Sequence, residues 1–256
     1  MNALEIDGLT VRYGRAVVVD DVSIVVRPGR TVGLVGESGS GKSTIAGAAV
    51  GLVQPAAGSI RVDGVSAVGR GRAARDARRR MQLVFQDPFS ALDPRMSVGE
   101  SIAEALRATG RSWTRAERIA RTRELLALVH LDPDRAGERP GAFSGGQRQR
   151  ITIARALAGE PSVLIADEVT SALDVSVQGA ILNLLRELQE RLGLSILFIS
   201  HNLAVVRYIS DEVYVMRHGR IVESGPTEHL LAAPEAEYTR DLLDAVPVLG
   251  VRMVTG

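Results

Sequence analysis

The sequence predicts an α/β protein: a mostly parallel sheet core with helices on both faces, an antiparallel β subdomain ahead of it, and an inserted helical subdomain. Three observations carry this reading. From residue 4 to residue 27 apolar and polar side chains alternate, with Gly8, Gly14 and Pro28-Gly29 as punctuation, the pattern of short antiparallel strands. Between Pro88 and Gly159 the texture becomes helical, and from Val163 to Met216 strand-length apolar runs alternate with helical stretches. Strand and helix in turn imply parallel strands joined by helical crossovers.

Taken in order, Thr31 to Val35 reads as a buried strand, followed by a glycine-rich turn and a helix from about Ser43 to Val50. Gly58 to Gly64 suggests an edge strand or hairpin, and Met81 to Phe85 a further strand. The helical insertion, about 88–159, has clear starts: Ser97-Val98-Gly99-Glu100 and Thr114-Arg115-Ala116-Glu117 fit the capping box, in which hydroxyl and carboxylate satisfy each other's orphan backbone N–H groups. A strand from Val163 to Ala166, a helix from Val175 to Leu192, a strand from Ser195 to Ile199, a helix from Leu203 to Ile209 and a strand from Glu212 to Met216 complete the pattern.

Composition narrows the function. With 31 basic and 30 acidic residues in 256 the formal net charge is +1, which gives no global attraction to nucleic acid. The run Arg70, Arg72, Arg75, Arg78, Arg79, Arg80 has no interleaved aromatic residues to stack on bases, so a solvated helix face is expected. The absence of cysteine excludes disulfides, thiolate metal sites and Fe–S clusters. Apolar runs such as Leu194 to Ile199 are strand-length, short of the roughly 20 residues that span a bilayer, so a membrane role is expected to be peripheral. Thirty of the 31 basic residues are arginine, and the single lysine is Lys42. A chain so biased keeps an ammonium where a compact point charge and a guanidinium fork are not interchangeable.

That lysine ends a motif. Gly36-Glu37-Ser38-Gly39-Ser40-Gly41-Lys42-Ser43-Thr44 lies between an apolar strand and a helix, the context in which a P-loop turns backbone N–H groups around phosphate oxygens at a helix N-terminus. Lys42 would bridge β- and γ-phosphates and the Ser43 hydroxyl would ligate Mg²⁺. The core is therefore expected to be P-loop NTPase-type. Val163-Leu164-Ile165-Ala166-Asp167-Glu168 is a buried strand ending in two carboxylates at the carboxyl edge of a parallel sheet, where ligands of such sheets bind. Asp167 suits Mg²⁺, and Glu168 suits a general base toward the attacking water. His201 and Gln86 close two other strands at the same level. The imidazole can orient the nucleophile and the amide can ligate Mg²⁺ and position water, although a lone histidine or surface glutamine is more often structural. Phe143-Ser144-Gly145-Gly146-Gln147-Arg148-Gln149-Arg150 then supplies a second anion-binding helix N-terminus, which no ordinary kinase or GTPase needs.

With these elements the sequence resembles the ATP-binding subunits of ABC transporters over nearly its whole length. The resemblance identifies Gly36 to Thr44 as Walker A, Gln86 as the Q-loop, Ser144, Gly145, Gly146 and Gln147 as the signature, Val163 to Glu168 as Walker B, Ser171 to Asp174 as the D-loop and His201 as the switch histidine. Tyr13 falls where the family places the aromatic that stacks on adenine, although its residue type also suits a strand. The segments Phe85 to Arg95 and Tyr238-Thr239-Arg240-Asp241-Leu242-Leu243 look like the oligopeptide/dipeptide/nickel importer subfamily. Phe143 departs from the commoner leucine, Val169 from a proline and Ala236-Glu237 from a His-Pro pair. The resemblance implies one ATP-binding domain over 1–247, a short tail over 248–256, and Mg²⁺-dependent ATP hydrolysis driving import of peptides or a small polar or metal-chelate substrate. Its implied partners are a second ATPase subunit, identical or homologous, two membrane permease subunits and an extracytoplasmic substrate-binding protein, with no nucleic acid. The chain would sit on the cytoplasmic face of the membrane. An exporter subunit shares the same catalytic residues and is the rival reading. A non-transport ABC ATPase would carry a long coiled coil or a tandem domain, which the sequence lacks.

Overall fold

In the computed structural model, which describes residues 1–244, the chain opens with β1 (Leu4–Tyr13) and β2 (Ala16–Val26). It continues through β3 (Thr31–Val35), α1 (Lys42–Ala49), β4 (Ala57–Val62), β5 (Val65–Ser66), α2 (Arg72–Arg79) and β6 (Met81–Val84). The helical insertion holds α3 (Pro88–Ala91), α4 (Val98–Ala108), α5 (Arg115–Leu128) and α6 (Gly145–Leu157). After it come β7 (Val163–Asp167), α7 (Val175–Leu192), β8 (Ser195–Ser200), α8 (Leu203–Ile209), β9 (Glu212–Arg217), β10 (Arg220–Pro226), α9 (Thr227–Ala232) and α10 (Glu237–Asp244). The expected tail, 248–256, lies outside the described residues.

Two sheets form. One is antiparallel with order β2-β1-β4-β5, and the other has order β10-β9-β3-β8-β7-β6, parallel from β9 to β6 with β10 antiparallel at one edge. The strand expected over Gly58 to Gly64 forms a hairpin with β5, but β4 is interior, because it also pairs with β1. The six-stranded sheet divides the hydrophobic interior by strand period. Val163, Ile165, Leu197 and Ile199 face the antiparallel sheet and α1, whereas Leu164, Ala166, Ile196 and Phe198 face the helical side. Being buried on both faces explains why β7 and β8 read as unbroken apolar runs rather than alternating ones.

Both expected capping boxes are present, Ser97 with Glu100 and Thr114 with Glu117. The arginine run lies on and around α2, which buries Ala74 and Ala77 and points its arginines outward. There Arg78 donates to the Gly69 carbonyl at 2.9 Å and Arg80 pairs with Asp63 at 3.3 Å, so part of that face ties the helix to the antiparallel sheet. No helix among the described residues is long and apolar enough to cross a membrane.

Candidate active site

β3 delivers the glycine-rich loop to the carboxyl edge of the parallel sheet, and close contact dictates its composition. A Cβ on Gly36 would lie 2.1 Å from the Met216 carbonyl oxygen at the end of β9. At Gly41 the backbone adopts φ 110°, a region that side chains disfavour, and a Cβ would meet the Val18 carbonyl at 2.8 Å. Gly41 caps α1 without any side-chain hydrogen bond, and the first turn carries no acid. The first N–H groups of α1 therefore remain available to an anion, with the positive end of the helix dipole behind them.

Lys42, 4% exposed, folds back over the loop. Its Nζ donates to Gly36 O at 2.8 Å, to Glu37 O at 2.7 Å and to Ser40 Oγ at 3.3 Å. Burial pushes its pKa down, and the charges of Glu168, Asp167 and Glu37 pull it back up. At the end of β7, burial raises Asp167 above the usual carboxylate range. A side-chain hydrogen bond with Ser43 opposes that rise, Glu168 adds to it and Lys42 offsets it. Asp167 Oδ1 is buried with no hydrogen-bond partner.

Glu168 adopts φ 48°, a left-handed conformation that costs a non-glycine residue about 1–3 kcal/mol. Its N–H donates to Ile199 O at 2.9 Å, while its carbonyl accepts from the Ser171 hydroxyl at 2.9 Å and the Ser171 N–H at 3.0 Å. The turn is thus held from both sides and aims the carboxylate at the cleft instead of along the strand. His201 Nδ1 lies 3.3 Å from Glu168 Oε1, and its ring remains half exposed.

A cleft of about 340 Å³ is walled by Ser38, Gly39, Gly41, Lys42, Ser43 and Thr44, with Gln86 after β6, Glu168, and Val18 from β2, whereas Gly36, Glu37, Ser40, Asp167 and His201 lie outside its lining. Such an arrangement can hold a polyphosphate on backbone N–H groups and one ammonium, and place a carboxylate beside it. The orphaned Asp167 Oδ1, the Ser43 hydroxyl and the Gln86 amide are hard oxygen donors that fit Mg²⁺. No group of three or more His, Cys, Asp or Glu suited to a metal occurs among the described residues. An ion held mainly by phosphates, water and one carboxylate requires none.

Residues 19–171 match the family model described as ABC transporter. A Brucella ovis protein, provisionally named as a peptide import ATP-binding protein, is 53% identical over 231 residues, which cover 90% of this chain and 73% of that protein. The chain belongs to the ABC transporter family. A Brucella abortus protein of the same provisional name is 54% identical across 90% of this chain and 69% of its own length. Among solved structures, CbiO1 from Clostridium perfringens, part of the ABC transporter complex CbiONQ, superposes with TM-score 0.82 at 27% identity, covering 91% of this chain and 92% of that one. The ATP-binding cassette MJ0796, dimeric and bound to ADP and Pi after hydrolysis, superposes with TM-score 0.77 at 27% identity, covering 88% and 98%. This ABC chain is accordingly an ATP-binding and ATP-hydrolysing subunit.

Not every expected site residue of the ABC subunit converges on the cleft. Ser144 caps α6, accepting from Gln147 N–H at 3.3 Å while the Gln147 side chain accepts from Ser144 N–H at 3.0 Å, a full capping box. Ser144, Gly145, Gly146 and Gln147 do not line the cleft. Tyr13, at the end of β1, is 54% exposed and also lies outside the lining. Two contributors were illegible in the sequence. Val18 comes from β2 and depends on how the two sheets pack. Tyr238 accepts a hydrogen bond from the Glu37 N–H at 3.1 Å across 201 residues. A larger cavity, about 870 Å³, lies beside Gly29, Gly193 and Asp211 at the amino-terminal edge of the same sheet. It sits away from the carboxyl edge where such sheets bind ligands.

Proposed function

We propose that residues 1–247 form one ATP-binding domain, with the helical subdomain at about 88–159 inserted, and that this domain energises an importer for peptides or a related small polar or metal-chelate substrate. The naming of the Brucella relatives for peptide import supports the substrate class. In this reading the motif Gly36 to Thr44 holds the phosphates through Lys42 and the N–H groups of Ser38, Gly39, Gly41, Ser43 and Thr44, while Gly36, Glu37 and Ser40 shape the loop, and Tyr13 stacks on adenine. Ser43, Gln86 and Asp167 hold Mg²⁺, which would neutralise charge on the transferred phosphoryl oxygens when bound. Glu168 takes the proton of the attacking water and His201, already beside it, fixes its direction.

One observation supports the assembly: Ser144, Gly145, Gly146 and Gln147 lie outside the phosphate cleft of their own chain. A second ATPase subunit, identical or homologous, would bring its Ser144, Gly145, Gly146 and Gln147 to the first subunit's nucleotide. Such a pair would sit at the cytoplasmic face of the membrane beneath two permease subunits, supplied by an extracytoplasmic binding protein. Purification of the native complex, followed by measurement of ATP turnover with peptide-loaded binding protein, tests this. Co-purifying permeases and peptide-stimulated turnover are expected. A complex without such partners, or one stimulated only by an unrelated substrate, would overturn the importer reading while leaving the ATPase intact.

A further inference from the structure

The Tyr238-to-Leu243 segment, with no role in the nucleotide chemistry, occupies α10. The start of this helix is fixed by Glu223 of β10, whose carboxylate accepts from Glu235 N–H at 2.9 Å and Ala236 N–H at 3.1 Å. Leu242 and Leu243 pack against the helical-side core. Tyr238 is 5% exposed, and the Arg217 guanidinium lies 4.7 Å from its ring centroid. Burial raises the phenol's pKa, partly offset by the bond from Glu37 N–H, so the hydroxyl stays neutral and its oxygen is aimed at the loop.

The N–H it receives belongs to the peptide unit whose carbonyl is Gly36 O. That unit is planar and trans, so its N–H and C=O point in opposite directions. Gly36 O accepts from Lys42 Nζ at 2.8 Å, and Glu37 N–H donates to Tyr238 Oη at 3.1 Å. One hydrogen-bonded chain therefore runs from the ammonium through the peptide to the phenol, and each bond polarises the next. Gly36 lies hard against the Met216 carbonyl, so the peptide is wedged between β9 and α10.

We propose that Tyr238 is a positioning residue for the nucleotide site: α10 straps the Gly36–Glu37 peptide in place and thereby couples docking of the C-terminal helix to the placement of Lys42. This rests on the reading of Lys42 as a phosphate ligand. By linkage, nucleotide in the loop should tighten α10 as much as α10 favours nucleotide.

The test uses the full chain with Tyr238→Phe, which keeps the ring and the Arg217 stack but removes the oxygen. Loss of one such bond should raise the KM and Kd for MgATP about 2–10-fold, with kcat and thermal midpoint near wild type. In wild type, MgATP should increase amide exchange protection across residues 237–244, and in Tyr238→Phe that increase should vanish. Unchanged affinity with intact coupling would overturn the strap, as would a lowered midpoint with affinity unaltered. If the Phe variant is insoluble, Glu223→Ala loosens the helix start without touching the loop and should shift KM in the same direction, while an unchanged KM there would also overturn it. Wild-type chain that fails to bind ATP, or a Lys42→Ala variant that binds as well as wild type, would sink the nucleotide-site reading itself.

Discussion

The two helix N-termini proposed to serve anions in this molecule are built in opposite ways. α1 begins at Gly41 with no side-chain cap, beside a buried Asp167 oxygen without a partner and a lysine held in place by loop carbonyls. α6 begins at Ser144 with a closed capping box, and the residue is exposed. The first end leaves its requirements unmet until a ligand arrives; the second is satisfied as it stands. Because the box uses only the oxygen lone pairs of Ser144, the hydroxyl proton is left over for an external acceptor. Stability and function should therefore separate between the two ends. Changes at the first should harm turnover and spare the fold, whereas changes at the second should affect the fold as well.

The largest expected effect is at Glu168. Its strained backbone, held by Ile199 and Ser171, has no evident purpose other than aiming the carboxylate, so Glu168→Gln should keep ATP binding and lower turnover about 10²-fold or more. Phosphate release measured beside nucleotide binding checks this, and turnover within a few-fold of wild type would remove Glu168 as the base. Lys42→Arg should come next. The ammonium fits among three oxygens at 2.7–3.3 Å, a space for a point donor. A larger planar fork should lose most of the activity despite the retained charge. Full activity in that variant would mean the single lysine serves some other purpose.

A mixed assembly probes both ends together. Ser144→Arg in one subunit and Glu168→Gln in the other place both lesions in one composite site and neither in the other. An isolated mixed dimer should recover part of the activity that each parent lacks, provided one intact site turns over alone. Specific activity of the wild-type chain should also rise with concentration, since assembly follows mass action. Proportionality to monomer concentration, with no recovery in a verified mixed dimer, would return the α6 end to a purely structural role.

Local structure was legible wherever local chemistry decides it. The helices Val175–Leu192 and Leu203–Ile209 have their expected bounds because Asn202 caps one and Gly193, at φ 64°, closes the other. The run Arg220–Pro226 was not recognised as a strand: its inside-out pattern is shallow, it ends in Gly-Pro, and it is an edge strand whose partner β9 supplies the order. In the site, Lys42, Ser43, Asp167 and Glu168 were readable because each lies in an unbroken strand-end motif. The strand order that brings them together was not, since β3 pairs with β8 and β9, far along the chain. Ser144-Gly145-Gly146-Gln147 carries the same capping-box spacing as Ser97 to Glu100, and the cap forms; what spacing does not decide is whether the same hydroxyl also meets a ligand.

The smallest expected effect sharpens the comparison most, because it reverses sign between the two ends. Removing the cap with Ser144→Ala should cost about 0.5–2 kcal/mol of stability. Asp167→Asn should instead raise the thermal midpoint of the nucleotide-free chain, since burial makes the ionised carboxylate unfavourable there. The pH dependence follows from linkage. Burial raises the folded-state pKa of Asp167, so at any pH above that raised value, where both states are ionised, the folded state bears the whole penalty. As pH falls through the raised pKa the folded carboxyl protonates first and the penalty shrinks, and below about 3.8 it is gone. The midpoint advantage of Asp167→Asn over wild type should accordingly be largest at pH 7 and close as the solution is acidified through that window. MgATP should reverse the order at pH 7, because a cation at the orphaned oxygen favours the ionised form that the empty site resists. Calorimetric scans of the two proteins, with and without MgATP, read all of this directly. An Asn variant less stable than wild type at neutral pH without nucleotide, or equally stabilised by MgATP, would show that the α1 end is as self-sufficient as the α6 end.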